Sequence, residues 1–448
     1  MSIDTVDINE TLVQKLENKL NNKTAVIGVV GLGYVGLPLA VENAKAGYKV
    51  IGFDVNSERV EKLNQGINYI GDVNDDELLH KVNNEQFRAT DDYSLIKQVD
   101  AAIICVPTPL DKHKQADTSY VESSTKEISK YLRPGMLIVL ESTTFPGTTE
   151  EILKPILEQS GLNIGRDFFL AYSPERVDPG NKQFNTSNTP KVVGGMTQEC
   201  TKVAATMYRN VLEAEIHEVS SPAVAEMEKI LENTFRNINI GLANEMAILC
   251  EKMGIDVWEV IDAAATKPYG FMPFYPGPGL GGHCIPIDPW YLTWKAKEYN
   301  YHTKLIESAG EINDSMPDYV VNRSMKLLNE KGKALNGSNI LVLGVAYKKD
   351  INDYRESPTI PILKIFDELK ANWQVVDPYV DEFKLNGVSQ YTVQKVTGVM
   401  LKEADLVLIT TNHSDFDYKK IAEHSDLIFD TRNAIPAHLI TSDNYFKL

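Results

Sequence analysis

The chain has 448 residues, with 45 Lys and Arg against 62 Asp and Glu, for a net charge of −17. At 43% hydrophobic and 24% charged, its composition is that of a globular protein of about two to four domains, not of a disordered chain. The acidic balance argues against a nucleic-acid partner and against an anionic membrane surface, both of which select clustered Lys and Arg.

Cys105, Cys200, Cys250 and Cys284 are too few and too scattered for a disulfide framework. No two have the spacing of a zinc site, and a reducing compartment is expected. The acidic N-terminus has no apolar core of a secretion signal. Ala25 to Val41 is free of charge but short for a membrane span, and its four glycines and one proline suit a buried strand and turn.

Residues 7–20 read as a short amphipathic helix, capped by Asp7 with Glu10 completing a capping box, and with Leu12, Leu16 and Leu20 on one face. From Thr24, short apolar runs alternate with helical stretches. The runs are 25–30, 48–54, 100–106, 136–141 and 168–173. Continuous apolar strands separated by helices imply a parallel sheet covered on both faces.

The first run enters Gly31-Leu-Gly33-Tyr34-Val35-Gly36 and then a helical pattern. The first glycine makes a tight turn, the second admits a pyrophosphate to the backbone, and the third lets helix and strand pack closely. The phosphates then meet N–H groups at a helix N-terminus. Asp54 ends the second run 18 residues past Gly36, where an acid can bind a ribose 2′-hydroxyl and repel a 2′-phosphate. Dinucleotide binding is expected, with NAD favoured over NADP. Arg59 is placed to reach the adenosine ribose or phosphate.

Glu141-Ser-Thr143-Thr and Ser173-Pro-Glu175-Arg176 both stand at strand ends, where open α/β sheets bind ligands. Turn and cap chemistry explains them equally well. Residues 221–253 read as one long helix with Ser221 as cap and Pro222 at its first position. Lys229, Asn233 and Arg236 share one of its faces, as a solvated stripe or as a site. Met227, Ile230, Leu231 and Phe235 cover the other face only in part.

Residues 267–289 are dense in Gly and Pro, a loop of unusual backbone angles. It carries Gly281-Gly282-His283-Cys284. Cys105 and Cys250 sit in apolar runs and read as core, whereas glycines strip side-chain bulk from around Cys284, as a substrate-facing thiol needs. His283 and Asp288 are near enough to set its ionisation. A second helical stretch leads to about residue 333. Alternation resumes in runs 339–347, 373–378, 404–411 and 426–432, a second α/β unit without the three-glycine fingerprint. Its Gly344-Val-Ala-Tyr347-Lys348 turn is either a nucleotide site or plain structure.

Taken together, these segments resemble the UDP-glucose/GDP-mannose dehydrogenase family of nucleotide-sugar 6-dehydrogenases, from about residue 24 to 440. The motifs run in the family's order: the glycine turn, the Glu-Ser-Thr and Ser-Pro-Glu strand ends, Glu226-x-x-Lys229 with Asn233, Gly281-Gly282-His283-Cys284 with Asp288, and Tyr347-Lys348-Lys349-Asp350 with Arg355-Glu-Ser-Pro. An NAD-dependent dehydrogenase of a 3-hydroxy acid shares the first domain and a long helix, but needs neither the Cys loop nor the second α/β unit.

The resemblance implies two Rossmann-like domains joined by a long helix. The divisions are an extension at 1–23, an NAD-binding domain at 24–215, a central helical dimerisation domain at 216–333 and a UDP-binding domain at 334–448. It implies four-electron oxidation of a C6 hydroxyl to a carboxylate with two NAD, through a Cys284 thiohemiacetal and thioester. Lys229 and Asn233 would hold oxyanions, Asp288 would activate water or tune Lys229, and Thr143 and Glu175 would position sugar and water. Gly31, Gly33, Tyr34, Val35, Gly36, Asp54, Arg59, Pro107, Thr108, Thr143 and Arg355 would line the NAD site. Glu175, Arg176, Val177, Lys229, Asn233, Arg236, Gly279, Gly281, Gly282, Lys348 and Arg432 would contact the UDP-sugar, with Lys348 and Arg432 on the diphosphate side.

Where glucose-type enzymes read Gly-Gly-Ser-Cys, this chain reads Gly281-Gly282-His283-Cys284-Ile-Pro-Ile-Asp288-Pro, which resembles the branch acting on UDP-N-acetylhexosamines. The run through Asp288-Pro-Trp-Tyr-Leu-Thr-Trp-Lys-Ala is nearest to its UDP-N-acetylglucosamine members. UDP-N-acetylmannosamine, UDP-N-acetylgalactosamine and UDP-glucose are the alternatives. A non-catalytic sugar-nucleotide binding protein is a further rival, against which Cys284, Lys229, Asn233 and Asp288 stand intact. A cytoplasmic homodimer without metal, serving capsule or O-antigen synthesis, completes the expectation.

Overall fold

A computed structural model describes residues 10–70, 73–111, 114–178, 181, 183–282, 284–440 and 443–448. Two compact units divide the chain, Met1–Leu231 and Glu232–Leu448.

The first unit is built on eight strands: β1 (Val26–Val30), β2 (Lys49–Phe53), β3 (Phe87–Thr90), β4 (Ala101–Ile104), β5 (Leu137–Leu140), β6 (Phe169–Tyr172), β7 (Lys191–Gly195) and β8 (Ile216–Val219). Their order is β3-β2-β1-β4-β5-β6-β7-β8. All neighbours are parallel except β6 and β7. Gly28 of β1 lies opposite Ile51 and Ala102. Alternate residues of β1 serve different faces: Ile27 and Val29 join one apolar cluster and Val30 another. Both faces are thus buried, which is why the runs show no alternation. The order reverses at β1, and ligands of such sheets bind at the carboxyl ends on either side of that switch point.

The N-terminal helix is Leu12–Asn21 rather than 7–20. Thr11 caps it, accepting from the N–H of Gln14 while the Gln14 side chain accepts from the N–H of Thr11. The capping box therefore lies four residues past the expected one, because Thr11-x-x-Gln14 meets the same requirement next to the apolar repeat. Asp7 lies outside the described residues. Leu16 and Leu20 are buried as expected.

In the second unit β9 (Asn339–Leu343), β10 (Asn372–Val376), β13 (Leu406–Ile409), β14 (Ile428–Asp430) and β15 (Tyr445–Lys447) form a parallel sheet in the order β10-β9-β13-β14-β15. A hairpin of β11 (Glu382–Leu385) and β12 (Val388–Tyr391) stands apart from it. Ile340 and Val342 enter one cluster, Leu341 and Leu343 another, so β9 is also covered on both faces.

The long helix runs Pro222–Met253. Val224, Met227, Leu231, Phe235, Leu242, Leu249 and Met253 form an exposed apolar stripe along it, whereas Ile230 is buried. Helices Val257–Ala265, Asp288–Ala296 and Lys304–Glu330 follow. Among the described residues no helix is long and apolar enough to cross a membrane, and no group of His, Cys, Asp or Glu is placed to hold a metal.

Candidate active site

The glycine turn leaves β1 at its carboxyl end, on the switch point. Gly31 has φ +91°, and a Cβ there would stand 2.6 Å from the Cys105 carbonyl oxygen. A Cβ on Gly36 would stand 1.8 Å from the Gly31 oxygen, so helix Gly36–Lys45 can start here only on glycine. A Cβ on Gly33 would meet nothing within 4 Å. The space over Gly33 is open beside a helix N-terminus, and the turn fits an NAD pyrophosphate. Tyr34 is exposed, and Val35 is half-buried at the head of the helix.

Asp54 turns inward. Its Oδ2 accepts from the N–H of Leu32 at 3.0 Å, its Oδ1 from that of Asn56 at 2.9 Å, and Arg59 stands 3.6 Å away. The carboxylate braces the glycine turn itself. Arg59 also lies over the Tyr69 ring, whose hydroxyl burial pushes up to about 12.

The ends of β4 and β5 are tied together. Thr108 donates to the Thr143 carbonyl at 2.6 Å, and Ser142 donates to that of Val106 at 2.7 Å. Pro107 is exposed and Thr143 half-buried. Past β6, Glu175 Oε1 accepts from the N–H groups of Arg176 and Val177. Arg176 donates to the Pro190 carbonyl and pairs with Glu228. Thr108, Thr143 and Glu175 thus stand past three adjacent strands of one sheet, on the side of the glycine turn.

Lys229 is buried in the first unit, one helical turn before Asn233. Glu226, from the same motif, accepts from Gly147 N–H at 2.6 Å and from Thr149 N–H and hydroxyl at 2.9 and 2.7 Å. It fastens the helix to the segment after β5, and burial pushes its carboxyl up.

In the second unit, Cys284 is an exposed thiol, while Cys105, Cys200 and Cys250 are buried. Its carbonyl accepts from the N–H of Asp288 at 2.8 Å, which turns the chain into helix Asp288–Ala296. Asp288 is 3% exposed and accepts at Oδ2 from Asn233 Nδ2 at 2.5 Å. Three further asparagines grip the loop. Asn237 donates to the Ile285 carbonyl, Asn244 accepts from Gly277 N–H, and Asn313 receives from Asn244 and donates to the Asn237 carbonyl. Each of these amides is nearly closed to solvent, where an unmet hydrogen bond is costly. Arg236, expected to contact the substrate, is exposed on the turn between the buried Asn233 and Asn237. His283 lies outside the described residues.

The loop's glycines are fixed by their neighbours. A Cβ on Gly281 would meet Tyr347 at 2.5 Å, and one on Gly277 would meet the Arg432 guanidinium at 2.4 Å. Gly279, at φ +134°, lies against Pro358 and Pro317. Gly282, at φ +87°, faces the Tyr347 ring and donates to the Arg355 carbonyl. The Cys loop and the turn after β9 are therefore one packed assembly. Lys348 is half-buried in that turn. Arg432 donates to the Thr410 carbonyl at 3.0 Å; burial, only partly offset by Asp430, lowers its guanidinium to about 10, so it stays cationic. The Arg355 side chain is held in a forked pair by Asp353.

Three matches to the UDP-glucose/GDP-mannose dehydrogenase family cover the chain: the NAD-binding domain over residues 25–212, the central domain over 223–315 and the UDP-binding domain over 341–437. The chain belongs to this family. It is an NAD-dependent nucleotide-sugar dehydrogenase. It is 38% identical to Staphylococcus aureus protein CapL over 91% of this chain and 96% of that protein. It is 37% identical to a Pseudomonas aeruginosa UDP-N-acetyl-D-glucosamine 6-dehydrogenase over 92% and 97%. The solved UDP-D-ManNAc dehydrogenase of Pyrococcus horikoshii superposes with a TM-score of 0.86 at 32% identity, over 94% and 98%.

Sequence reading of this dehydrogenase missed the asparagines behind the Cys loop, which look like ordinary polar helix positions. It also missed Lys191 and Tyr208, which face Glu141 beneath the strand ends. A lysine heading the apolar run Val192-Val193 was the one available signal.

Proposed function

We propose that this dehydrogenase oxidises the C6 hydroxyl of a UDP-N-acetylhexosamine to the uronic acid, with UDP-N-acetylglucosamine as the preferred sugar. The observation that carries the reading is the exposed Cys284 thiol on a glycine loop, four residues ahead of the buried Asp288 that Asn233 holds. The relatives named for UDP-N-acetyl-D-glucosamine and UDP-D-ManNAc support the acetamido sugar class. The second of these makes the C2 epimer, UDP-N-acetylmannosamine, the competing reading.

When bound, NAD accepts one hydride at each of two oxidations. The chain's residues do the rest. The C6 alcohol gives up its hydride to NAD and its proton, through a water, to Asp288, and becomes an aldehyde. The Cys284 thiolate adds to that carbon, forming a C–S bond, and Lys229 and Asn233 stabilise the oxyanion. Loss of the second hydride regenerates the carbonyl as a thioester. A water positioned by Glu175 and Thr143, and activated by Asp288, adds to it; the C–S bond breaks, releasing carboxylate and thiol. Gly31, Gly33 and Gly36, with Asp54, hold the cofactor; Lys348 and Arg432 hold the diphosphate.

The apolar stripe on helix Pro222–Met253 supports a homodimer through that helix. The need for NAD and a reduced thiol supports the cytoplasm, and the likeness to CapL supports capsule synthesis. The test is NADH released per mole of limiting UDP-N-acetylglucosamine, UDP-N-acetylmannosamine, UDP-N-acetylgalactosamine and UDP-glucose. Two from the first and little from the rest support the reading. Two from another sugar move the substrate; one or none from all four overturns the mechanism.

A further inference from the structure

Beneath the strand ends of the first unit lies a buried ionic cluster of which the reaction scheme uses only Glu175. Lys191, the first residue of β7, has only 6% of its side chain exposed. Its Nζ stands 3.1 Å from Glu141 Oε1 and 3.6 Å from Glu175 Oε2, and donates to the Pro174 carbonyl at 3.1 Å. Glu141 is closed to solvent; Tyr208 donates to the same Oε1, and Oε2 has no hydrogen-bond partner among the described residues. Glu175, past the end of β6, keeps 17% of its side chain open and is the most exposed acid of the cluster.

A buried carboxylate needs a cation, so Lys191 could be no more than the counter-ion of Glu141. Two observations go further. The ammonium is shared between two carboxylates, one closed to solvent and one partly open. Moreover, Glu175 Oε1 is already taken by two backbone N–H groups, so Lys191 fixes the remaining oxygen and with it the rotation of the carboxylate.

We propose that Lys191 is a positioning residue for the reaction: shared between Glu141 and Glu175, it fixes the orientation of the Glu175 carboxylate at the end of β6. The inference rests on the role proposed above for Glu175. The other groups facing the cluster are Cys105 from the end of β4 and Tyr208 from helix Gln198–Arg209, both of which burial holds protonated, well above their ordinary values. Arg176 is turned away to Glu228 and the Pro190 carbonyl. Burial works against the charge on Lys191, but the facing carboxylates outweigh it and hold the ammonium above the ordinary lysine range. Among the described residues, Lys191 is therefore the cation set between these two acids.

The test compares wild type, Lys191→Met and Glu141→Gln. Glu175 protonation is followed by carboxyl 13C NMR on glutamate-labelled protein without substrate, with Glu175→Gln identifying the resonance. The acid limb of kcat/KM for the UDP-sugar is measured in parallel. Removing the cation should move both the titration midpoint and the acid limb to higher pH. It should lower kcat while leaving KM for NAD unchanged. Glu141→Gln, nearly isosteric, frees Lys191 for Glu175 and should move both down; it decides alone if Lys191→Met does not fold. Unmoved midpoints, or midpoints that move without the acid limb, overturn the proposal and leave Lys191 a structural counter-ion, whatever happens to the melting temperature. Absence of turnover in the wild type would instead sink the functional reading, and the NMR titration would still judge the ion pair.

Discussion

Asn233 donates through Nδ2 to Asp288 Oδ2 at 2.5 Å, and both side chains are nearly closed to solvent. The contact joins the long helix to the residue that starts the helix after Cys284. The Asp288 carboxylate is thus anchored to the long helix at the start of the helix that follows Cys284. Asp288→Asn keeps the shape but removes the charge. It should lower kcat by about 10²-fold or more with KM for the UDP-sugar little changed, as expected for loss of general-base help. Steady-state kinetics check this; a near-normal kcat would take Asp288 out of the chemistry.

The glycines of the first turn separate binding from folding. Gly33 faces open space, so Gly33→Ala should fold normally and weaken NAD by about tenfold or more, about 1.4 kcal/mol. Gly36→Ala places a methyl on the Gly31 carbonyl and should cost about 1–3 kcal/mol or more of stability. Because Asp54 braces the turn, Asp54→Ala should do both: lower the melting temperature and narrow the preference for NAD over NADP. Calorimetry and NAD titration on the three variants check the split.

Asp377 serves the second sheet as Asp54 serves the first. Its Oδ2 accepts from Val345 and Ala346 N–H and from His413 Nε2, while Asp350 N–H donates to His413 Nδ1. Burial raises the Asp377 carboxyl, but His413 and these N–H groups outweigh it and hold it below the ordinary aspartate range. A depressed folded-state value contributes stability above about pH 4 that is lost as pH falls through that value. Asp377→Asn should therefore destabilise the protein by about 1–3 kcal/mol at neutral pH. The gap to wild type should narrow below about pH 4, as read by urea melts across pH. A gap independent of pH would mean that the charge is not what Asp377 contributes.

The stripe on helix Pro222–Met253 predicts association through apolar side chains. Leu231 is 63% exposed and Leu242 54%. Leu231→Glu with Leu242→Glu should shift a dimer to monomer in sedimentation without unfolding it. An unchanged mass would place the interface elsewhere.

Much of the fold is legible because β1, β2, β4, β5 and β6 are buried on both faces and carry unbroken apolar runs. Helix Pro222–Met253 announces its start through Ser221 and Pro222. β3, Phe-Arg-Ala-Thr, and β8, Ile-His-Glu-Val, are short and half polar, and give no such signal. The glycine turn and the Cys loop are legible because their backbones exclude a Cβ. Asn237, Asn244, Asn313 and Lys191 are not: their meaning lies in partners 17 to 76 residues away in sequence, and only the fold brings those together.

The central claim is that Cys284 carries the second oxidation. NADH and carboxylate formed per mole of limiting UDP-N-acetylglucosamine, in wild type and in Cys284→Ser, test it most directly. The account predicts two NADH for the wild type and at most one for the variant, with the second step stalled or very slow. Carboxylate from Cys284→Ser at a rate near that of the wild type would contradict it.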